Sequence, residues 1–372
     1  MNRKSIFVTQ PFLPPLDEFS SSLKEIWESK ILTNSGAFHN EFENKLCEYL
    51  GVKHVCLFAN GMLALITALQ ALKITGEVIT TPFSFVATTH ALWWNSVKPV
   101  FSDIEAGTFN LDPEKIEAAI TPKTTAILPV HVYGNPCNVS RIQDIANRYG
   151  LKVIYDTAHA FGVKSDGYSV ANFGDLSILS FHATKVFNTF EGGAIICHDE
   201  QMKKHIDQLK NFGITNETTV VSPGINAKMN EFQSALGILQ LKYIESAIEK
   251  RKLITTHYRK AFAHLPGISV LNDLPGVKHN YGYFPILIEE DKFGRDRDNV
   301  YTELRKHNII SRRYFYPLIS QFPTYRGLDS AKPGKMPVAE KITKTVLCLP
   351  IYPDLDLLDA DYIIEKIKEL QR

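Results

Sequence analysis

The run Leu176-Ser177-Ile178-Leu179-Ser180-Phe181-His182-Ala183-Thr184-Lys185, with Glu191-Gly192-Gly193 close behind it, decides how this chain is read. Its first residues are apolar and read as a buried strand, and a short polar turn then ends in a lysine. In an open α/β sheet, ligands bind just past the carboxyl ends of the strands. An amine held there can form a Schiff base with a carbonyl. Taken alone, Lys185 reads as a surface lysine after a strand. Its meaning depends on what other segments bring to the same edge.

Outward from this run, strands and helices alternate. Phe38, Phe42, Leu46 and Leu50 recur at helical spacing, and Gly51 stops that helix. Val55–Phe58 reads as a short strand, after which Asn60 caps an apolar helix over Met62–Leu72. Glu77–Thr81 is a strand ended by Pro82, and Asp112-Pro113-Glu114 opens another helix with a cap and a first-turn proline. A strand follows over Thr125–Val132, then a helix capped by Ser140 and ended at Gly150, then a strand over Lys152–Tyr155. Such alternation implies a parallel sheet wrapped by helices. From about Lys228 to His264 the pattern becomes long and helical. Beyond it, predicted strands at Gly282–Ile288 and Ile309–Phe315 flank a helix over Asp298–Lys306, and Leu357–Leu370 closes the chain as an amphipathic helix. The expected fold is α/β. A large domain with a mostly parallel sheet and an N-terminal arm covers residues 1–248, and a smaller α+β domain covers residues 249–372.

The composition is that of a chain able to build a large core: 372 residues, 44% hydrophobic and 22% charged. A net charge of +1 gives no reason to expect nucleic-acid or membrane-surface binding. Cys47, Cys56, Cys137, Cys197 and Cys348 contain no C-x-x-C pair and suit reduced thiols in the cytoplasm. Met1–Pro15 carries Arg3 and Lys4 but no apolar core of a leader peptide, and no apolar run approaches the roughly 20 residues that span a bilayer. The Asn-x-Ser/Thr matches at Asn138 and Asn216 are therefore read as chance. No G-x-G-x-x-G after a strand, no G-x-x-x-x-G-K-[ST] loop and no H-E-x-x-H motif is present, which argues against dehydrogenase, P-loop and zinc-hydrolase chemistry; no metal is expected.

Two other segments offer partners for Lys185. In Val153-Ile154-Tyr155-Asp156-Thr157-Ala158-His159, Asp156 follows an apolar strand and should emerge at the edge that holds Ser180 and Lys185. A carboxylate there can hold a proton on a heteroaromatic nitrogen, because a nearby anion raises the pKa of a cationic acid. It can equally cap the next helix, and His159 can be a packing residue. In Phe58-Ala59-Asn60-Gly61-Met62-Leu63, a strand, a tight turn and a helix place free backbone N–H groups at a helix N-terminus, a ready anion site. Together these pieces suit one ligand with a phosphate, an aldehyde and a basic ring nitrogen. Pyridoxal phosphate has all three: Lys185 for the aldehyde, Asp156 for the ring nitrogen, and the Gly61 and Met62 amides with Ser180 for the phosphate.

The chain also resembles the DegT/DnrJ/EryC1/StrS sugar aminotransferases, a family with the aspartate-aminotransferase fold. The likeness is carried by Thr33-Asn34-Ser35-Gly36, Thr81-Pro82-Phe83-Ser84-Phe85-Val86-Ala87-Thr88, Pro129-Val130-His131-Val132-Tyr133-Gly134, Asp156-Thr157-Ala158-His159-Ala160-Phe161-Gly162, Ser180-Phe181-His182-Ala183-Thr184-Lys185 and Gly224-Ile225-Asn226-Ala227-Lys228-Met229-Asn230-Glu231. It implies that Lys185 is the Schiff-base lysine, that Asp156 pairs with the pyridine nitrogen, that His159 touches the ring hydroxyl and that Phe85 stacks on the cofactor. It further implies that Asn226 reaches the phosphate of a neighbouring subunit, so that a homodimer shares its sites. His182, Arg312, Arg313 and Tyr316 are candidates for holding a sugar nucleotide. Arg312 and Arg313 read equally as solvated basic residues on an edge strand. One departure stands out: the family usually has Ser-Gly-Thr where this chain has Asn60-Gly61-Met62, so Met62 offers phosphate only its N–H.

Thr9-Gln10-Pro11-Phe12-Leu13-Pro14 and Phe187-Asn188-Thr189-Phe190-Glu191-Gly192-Gly193 most resemble the branch that aminates C4 of dTDP-4-keto-6-deoxy sugars with L-glutamate, in O-antigen or lipopolysaccharide biosynthesis. A 3-keto sugar nucleotide as substrate and a non-catalytic ligand-binding relative are the alternatives. The second would lack Lys185 or Asp156, and both are present. Loss of the lysine marks the family's dehydratase branch.

Overall fold

In the computed structural model, which describes residues 4–371, Leu176–Ser180 is a strand near the middle of a seven-stranded sheet. Met1–Arg3, where part of the leader-peptide reading falls, and Arg372 lie outside the described residues. The sheet is built from β1 (His54–Phe58), β2 (Glu77–Thr80), β3 (Lys98–Phe101), β4 (Thr124–Leu128), β5 (Lys152–Asp156), β6 (Leu176–Ser180) and β7 (Gly193–Cys197). Its spatial order is β1-β7-β6-β5-β4-β2-β3. All neighbours run parallel except β7, which is antiparallel to both β1 and β6. The fold class is therefore the expected one, α/β with a mostly parallel sheet.

Both faces of the sheet are covered, as a parallel sheet requires. Along β7 the residues alternate between two cores. Ala194 and Ile196 join Phe42, Leu46 and Ile248, from helices α2 (Ala37–Leu50) and α8 (Glu231–Phe262). Ile195 and Cys197 join Ala64, Leu65 and Ala68 of α3 (Gly61–Ala71). Each of these four strand residues has no exposed surface. The period-two alternation of a strand thus feeds two hydrophobic layers at once.

Helix α8, which follows α1 (Leu16–Ser29), α4 (Ala87–Trp94), α5 (Pro113–Ala119), α6 (Val139–Tyr149) and α7 (Glu200–Leu209) as well as α2 and α3, is a continuous 32-residue rod, about 48 Å long at 1.5 Å per residue. Its N-terminus carries a capping box between Asn230 and Gln233. Past it, β8 (Ile268–Val270), β9 (Phe284–Ile288) and β10 (Val346–Leu349) form a three-stranded antiparallel sheet in the order β8-β9-β10. Helices α9 (Arg297–Lys306), α10 (Pro337–Thr345) and α11 (Leu357–Glu369) complete this part of the chain. Among the described residues, no helix is long and apolar enough to cross a membrane.

The elements read from the sequence keep their type, most corrections to them lie at ends, and β3, β7 and the helix over Ala87–Trp94 are additions to that reading. The strand expected over Thr125–Val132 is Thr124–Leu128, because Pro129 removes a donor and the chain turns into a short 3-10 segment at Val132–Gly134. The helix expected to be capped by Ser140 is capped by Asn138, whose side chain accepts from the Arg141 N–H at 3.2 Å. The strand expected over Ile309–Phe315 is only Ile309–Ile310, paired in parallel with Ile6–Phe7. Beyond an isolated bridge from Arg312 to Cys348, side chains take over the backbone acceptors: Tyr133 donates to the Tyr314 carbonyl, and Thr343 to that of Phe315 at 2.6 Å. No ladder remains to extend.

One buried contact ties α8 to α2. Glu231, only 2% exposed, accepts from the N–H groups of Phe38 and His39 at 2.9 and 3.0 Å, satisfying orphan donors at the α2 N-terminus. A Cβ on Gly36 would lie 2.5 Å from the Glu231 carboxyl carbon, so glycine leaves the room that carboxylate needs. Glu231→Ala is expected to cost about 3 kcal/mol, from two charge-assisted bonds lost and two buried donors left unpaired. Urea unfolding would show this, and an unchanged midpoint would contradict it.

Candidate active site

Four chain crossings end at one edge of the sheet. β5 ends at Asp156, β6 at Ser180, and β1 at Phe58 just before the Asn60–Gly61 turn, while β2 leads into the Pro82–Val86 turn ahead of α4 (Ala87–Trp94). At this edge lies a cavity of about 510 Å³. Gly61, Met62, Phe85, Asp156, His159, Ser180, His182 and Lys185 all line it.

The anion end is shaped by close backbone approach. Asn60 caps α3 by accepting from the Leu63 N–H at 2.9 Å. A Cβ on Gly61 would fall 2.9 Å from the Ser180 Cβ, and one on Gly193 would fall 2.7 Å from the Gly61 nitrogen. Glycine at both positions lets the helix N-terminus sit directly against the end of β6.

Asp156 is 5% exposed. One carboxylate oxygen accepts from the Thr88 hydroxyl at 2.7 Å, the other from the Ala158 N–H at 3.1 Å. Burial pushes its carboxyl pKa up, and these two bonds together with the Lys185 charge pull it back. His159 is 4% exposed, and its Nδ1 accepts from the Tyr133 N–H at 3.3 Å. Burial first, then the charge of Lys185, holds its pKa well below the usual range. A neutral ring that accepts at Nδ1 carries its proton on Nε2 and is a donor there.

Lys185 lies in the Phe181–Gly192 loop between β6 and β7. The loop is pinned at its neck, where Phe181 N–H donates to Gly192 O at 2.7 Å and Thr189 N–H to Phe181 O at 2.9 Å. Beneath it Phe187 stacks on Phe161 at 4.2 Å and meets Phe181 edge-on at 5.1 Å. Burial lowers the Lys185 pKa to about 8, against the opposing pull of Asp156. Its ammonium donates to the Tyr283 hydroxyl at 3.4 Å.

The other sequence candidates are not brought together with these. Asn226 is exposed and does not line the chain's own cavity. Its neighbour Ala227 accepts from the Ala59 N–H at 2.8 Å, beside the Asn60–Gly61 turn. Arg312, Arg313 and Tyr316 also stand outside the cavity lining. Arg313 donates to Asp298 of α9 at 2.8 Å, and the guanidinium groups of Arg297 and Arg313 lie 4.7 and 4.9 Å from the centre of the Tyr316 ring. Tyr314 and Phe315, between them, line the cavity instead. Phe315 stacks on His159 with 5.7 Å between ring centres.

Thr88 and Tyr283 were missed as site residues. Thr88 closes the Thr81–Thr88 run that carries the family resemblance, and that motif is the signal that could find it. Tyr283 is 98 residues from Lys185 and carried no local signal. Among the described residues, no group of three or more His, Cys, Asp or Glu could hold a metal ion.

A lysine and a buried aspartate facing one cavity at the carboxyl edge of such a sheet are the equipment of an aminotransferase. The chain belongs to the DegT/DnrJ/EryC1/StrS aminotransferase family, whose sequence model matches residues 16–368. That family is pyridoxal phosphate-dependent. A dTDP-4-amino-4,6-dideoxy-D-glucose transaminase of Escherichia coli is 55% identical over 373 aligned positions, spanning 100% of this chain and 99% of that protein. One from Shigella dysenteriae is 51% identical over 99% of this chain and 100% of its own length. Among solved structures, DesI in the presence of its TDP-sugar product superposes with a TM-score of 0.94 at 33% identity, covering 99% of this chain and 93% of that one.

The low Lys185 pKa has a direct test. A neutral amine reacts with acylating reagents and an ammonium does not, so Lys185 reactivity is expected to rise as pH passes about 8. Competitive labelling of the cofactor-free protein, read by peptide mass spectrometry, would give the midpoint. A value at the ordinary lysine 10.5 would show that burial does not act on this amine.

Proposed function

We propose that the protein transfers the amino group of L-glutamate to the C4 ketone of a dTDP-4-keto-6-deoxy-hexose, giving a dTDP-4-amino-4,6-dideoxy sugar and 2-oxoglutarate, with pyridoxal phosphate held in the cavity described above. One observation carries the reading. Lys185, Asp156 and the Asn60–Gly61 helix terminus line a single cavity, in a chain 55% identical along its length to a dTDP-4-amino-4,6-dideoxy-D-glucose transaminase.

The lining suits pyridoxal phosphate. The Gly61 and Met62 N–H groups, at the start of α3 and against Ser180, offer a phosphate cradle that a Cβ on Gly61 would crowd. With Met62 supplying no hydroxyl, Ser180 is the neighbouring side chain able to add one. Phe85 is 59% exposed at the cavity and presents a free aromatic face to a planar ring. Asp156, buried and already holding two donors, keeps a charge that favours a protonated ring nitrogen. His159 offers its Nε2–H to a ring oxygen. When bound, the cofactor supplies an electron-withdrawing ring that takes up the electron pair left on carbon as its proton departs.

The residues divide the remaining work. Lys185, as the neutral amine, takes the proton from the α-carbon of glutamate and later returns a proton at C4 of the sugar. Its lowered pKa brings it close to working pH, where a proton shuttle is most effective. His182, exposed at the cavity wall with its Nδ1 accepting from the Thr184 N–H at 3.2 Å, is placed to meet the sugar. Asn226, exposed away from its own cavity, would serve the phosphate site of a second copy, so the working unit in this reading is a homodimer. Arg312, Arg313 and Tyr316 would in turn contact the sugar nucleotide only from outside the cavity of their own subunit. The amino-terminal part through residue 248 is read as the cofactor domain and the remainder as the smaller domain, both working in the cytoplasm.

Incubation of the holoenzyme with dTDP-4-keto-6-deoxyglucose and L-glutamate is expected to give a 4-amino product, whose proton couplings report the configuration at C4. Lys185→Ala is expected to lose the yellow absorbance of lysine-held cofactor and at least about 10³-fold in turnover. Normal turnover by that variant, or amination at C3, would defeat the proposal.

A further inference from the structure

Tyr283 enters the site from outside the large sheet, one residue before β9 (Phe284–Ile288). Its hydroxyl is 3.4 Å from the Lys185 Nζ. The segment that delivers it is fastened on both sides. The Asn280 side chain, 1% exposed, donates to the carbonyls of His159 and Phe161 at 2.9 and 3.0 Å and accepts from the Gly282 N–H at 3.1 Å. A Cβ on Gly282 would lie 2.9 Å from Val186, the residue after the lysine. The Tyr283 ring packs edge-on against His159 at 5.0 Å and tilted against Tyr133 at 5.3 Å. Backbone and ring are thus placed relative to Lys185 by contacts that do not involve the lysine, and the rigid ring carries the hydroxyl to it.

We propose that Tyr283 is a positioning residue for Lys185, its hydroxyl steering the lysine amine between the proton-transfer steps of the reaction. The inference rests on the reading of Lys185 as the proton shuttle. As an ammonium, Lys185 donates to the tyrosine oxygen; as a neutral amine, it accepts a hydrogen bond from the tyrosine O–H on its lone pair. The hydroxyl serves both states without changing its own, because burial holds its pKa far above the working range. The separation is long for a hydrogen bond, so the hydroxyl directs the amine and still lets it swing.

The test is Tyr283→Phe in the holoenzyme, which keeps the ring contacts and removes only the oxygen. Turnover is expected to fall about tenfold or more, with the glutamate KM, the cofactor dissociation constant and the yellow absorbance as in the parent. The acid limb of kcat is expected to move to lower pH, since the bond to the ammonium is charge-assisted and the stronger of the two. Other charged and titratable groups face the pair. Asp156 and His159 lie toward Lys185, and Tyr133, Tyr314, Cys348 and Arg251 toward Tyr283. His159 is held below its ordinary range, while Arg251 at about 10 and Cys348 at about 12 titrate above the lysine at about 8.

Parent-like turnover with an unmoved acid limb would overturn the proposal and leave the Lys185 reading intact. Loss of cofactor affinity or of the yellow absorbance would make Tyr283 a merely structural residue and would overturn it equally. Full turnover by Lys185→Ala would instead bring down the reading on which the proposal rests. Independently of turnover, competitive labelling of Lys185 in cofactor-free Tyr283→Phe is expected to show a midpoint at lower pH than the parent, and an unshifted midpoint there overturns the proposal.

Discussion

The site depends on one strand running against the rest. β7 is hydrogen-bonded to β1 on one side and to β6 on the other, antiparallel to both, with Gly193 opposite Phe58 and Ser180. That pairing sets the Asn60–Gly61 turn beside the end of β6, although about 120 residues separate them in the chain. It also closes the Phe181–Gly192 loop, because the chain must leave β6 and return into β7 at the same edge. Gly193 and Gly61 accept the resulting crowding because neither carries a Cβ. A side chain at Gly193 would meet the Asn60 and Gly61 backbone, which cannot move without disturbing the start of α3.

Electrostatics follow from that geometry. Asp156 and Lys185 are drawn into a cavity where each charge alone would be costly. Burial pushes the carboxyl up and the amine down, and each partner partly reverses the shift of the other. The Thr88 hydroxyl and the Ala158 N–H give the carboxylate fixed donors, which favour its charged form. His159 has no such partner. Its backbone donor and the nearby lysine leave it neutral. One buried pocket therefore holds a carboxylate, a neutral imidazole and a readily deprotonated amine side by side.

Legibility in the sequence varied with the range of the interaction. Strand-then-turn signals are local, so Asp156 after Val153-Ile154-Tyr155 and Lys185 after Leu176-Ser177-Ile178-Leu179 were readable, as was the Asn60 cap. β7 was not read as a strand, although Gly193-Ala194-Ile195-Ile196-Cys197 is wholly apolar. A short apolar run buried on both faces lacks the alternation that marks a strand, and its direction is a property of its neighbours. The Ile309–Phe315 segment failed in the opposite way. Its aromatic residues favour a strand, but tertiary partners at Tyr133 and Thr343 occupy its carbonyls. That diversion turns Tyr314 and Phe315 toward the cavity and leaves Arg313 with Asp298.

By itself, the sequence determined the alternation of strands and helices, the positions of Asp156 at a strand end and of Lys185 in the turn after a strand, and the motifs of an aminotransferase family. These are set by residues a few positions apart, where periodicity and capping chemistry act. Only the tertiary structure decided that Thr88 from α4 and Tyr283 from beside β9 stand at those two groups, and that Asn226, Arg313 and Tyr316 do not line the same cavity. Those placements come from packing and pairing across long stretches of chain, and no local pattern records which distant surface a side chain will meet.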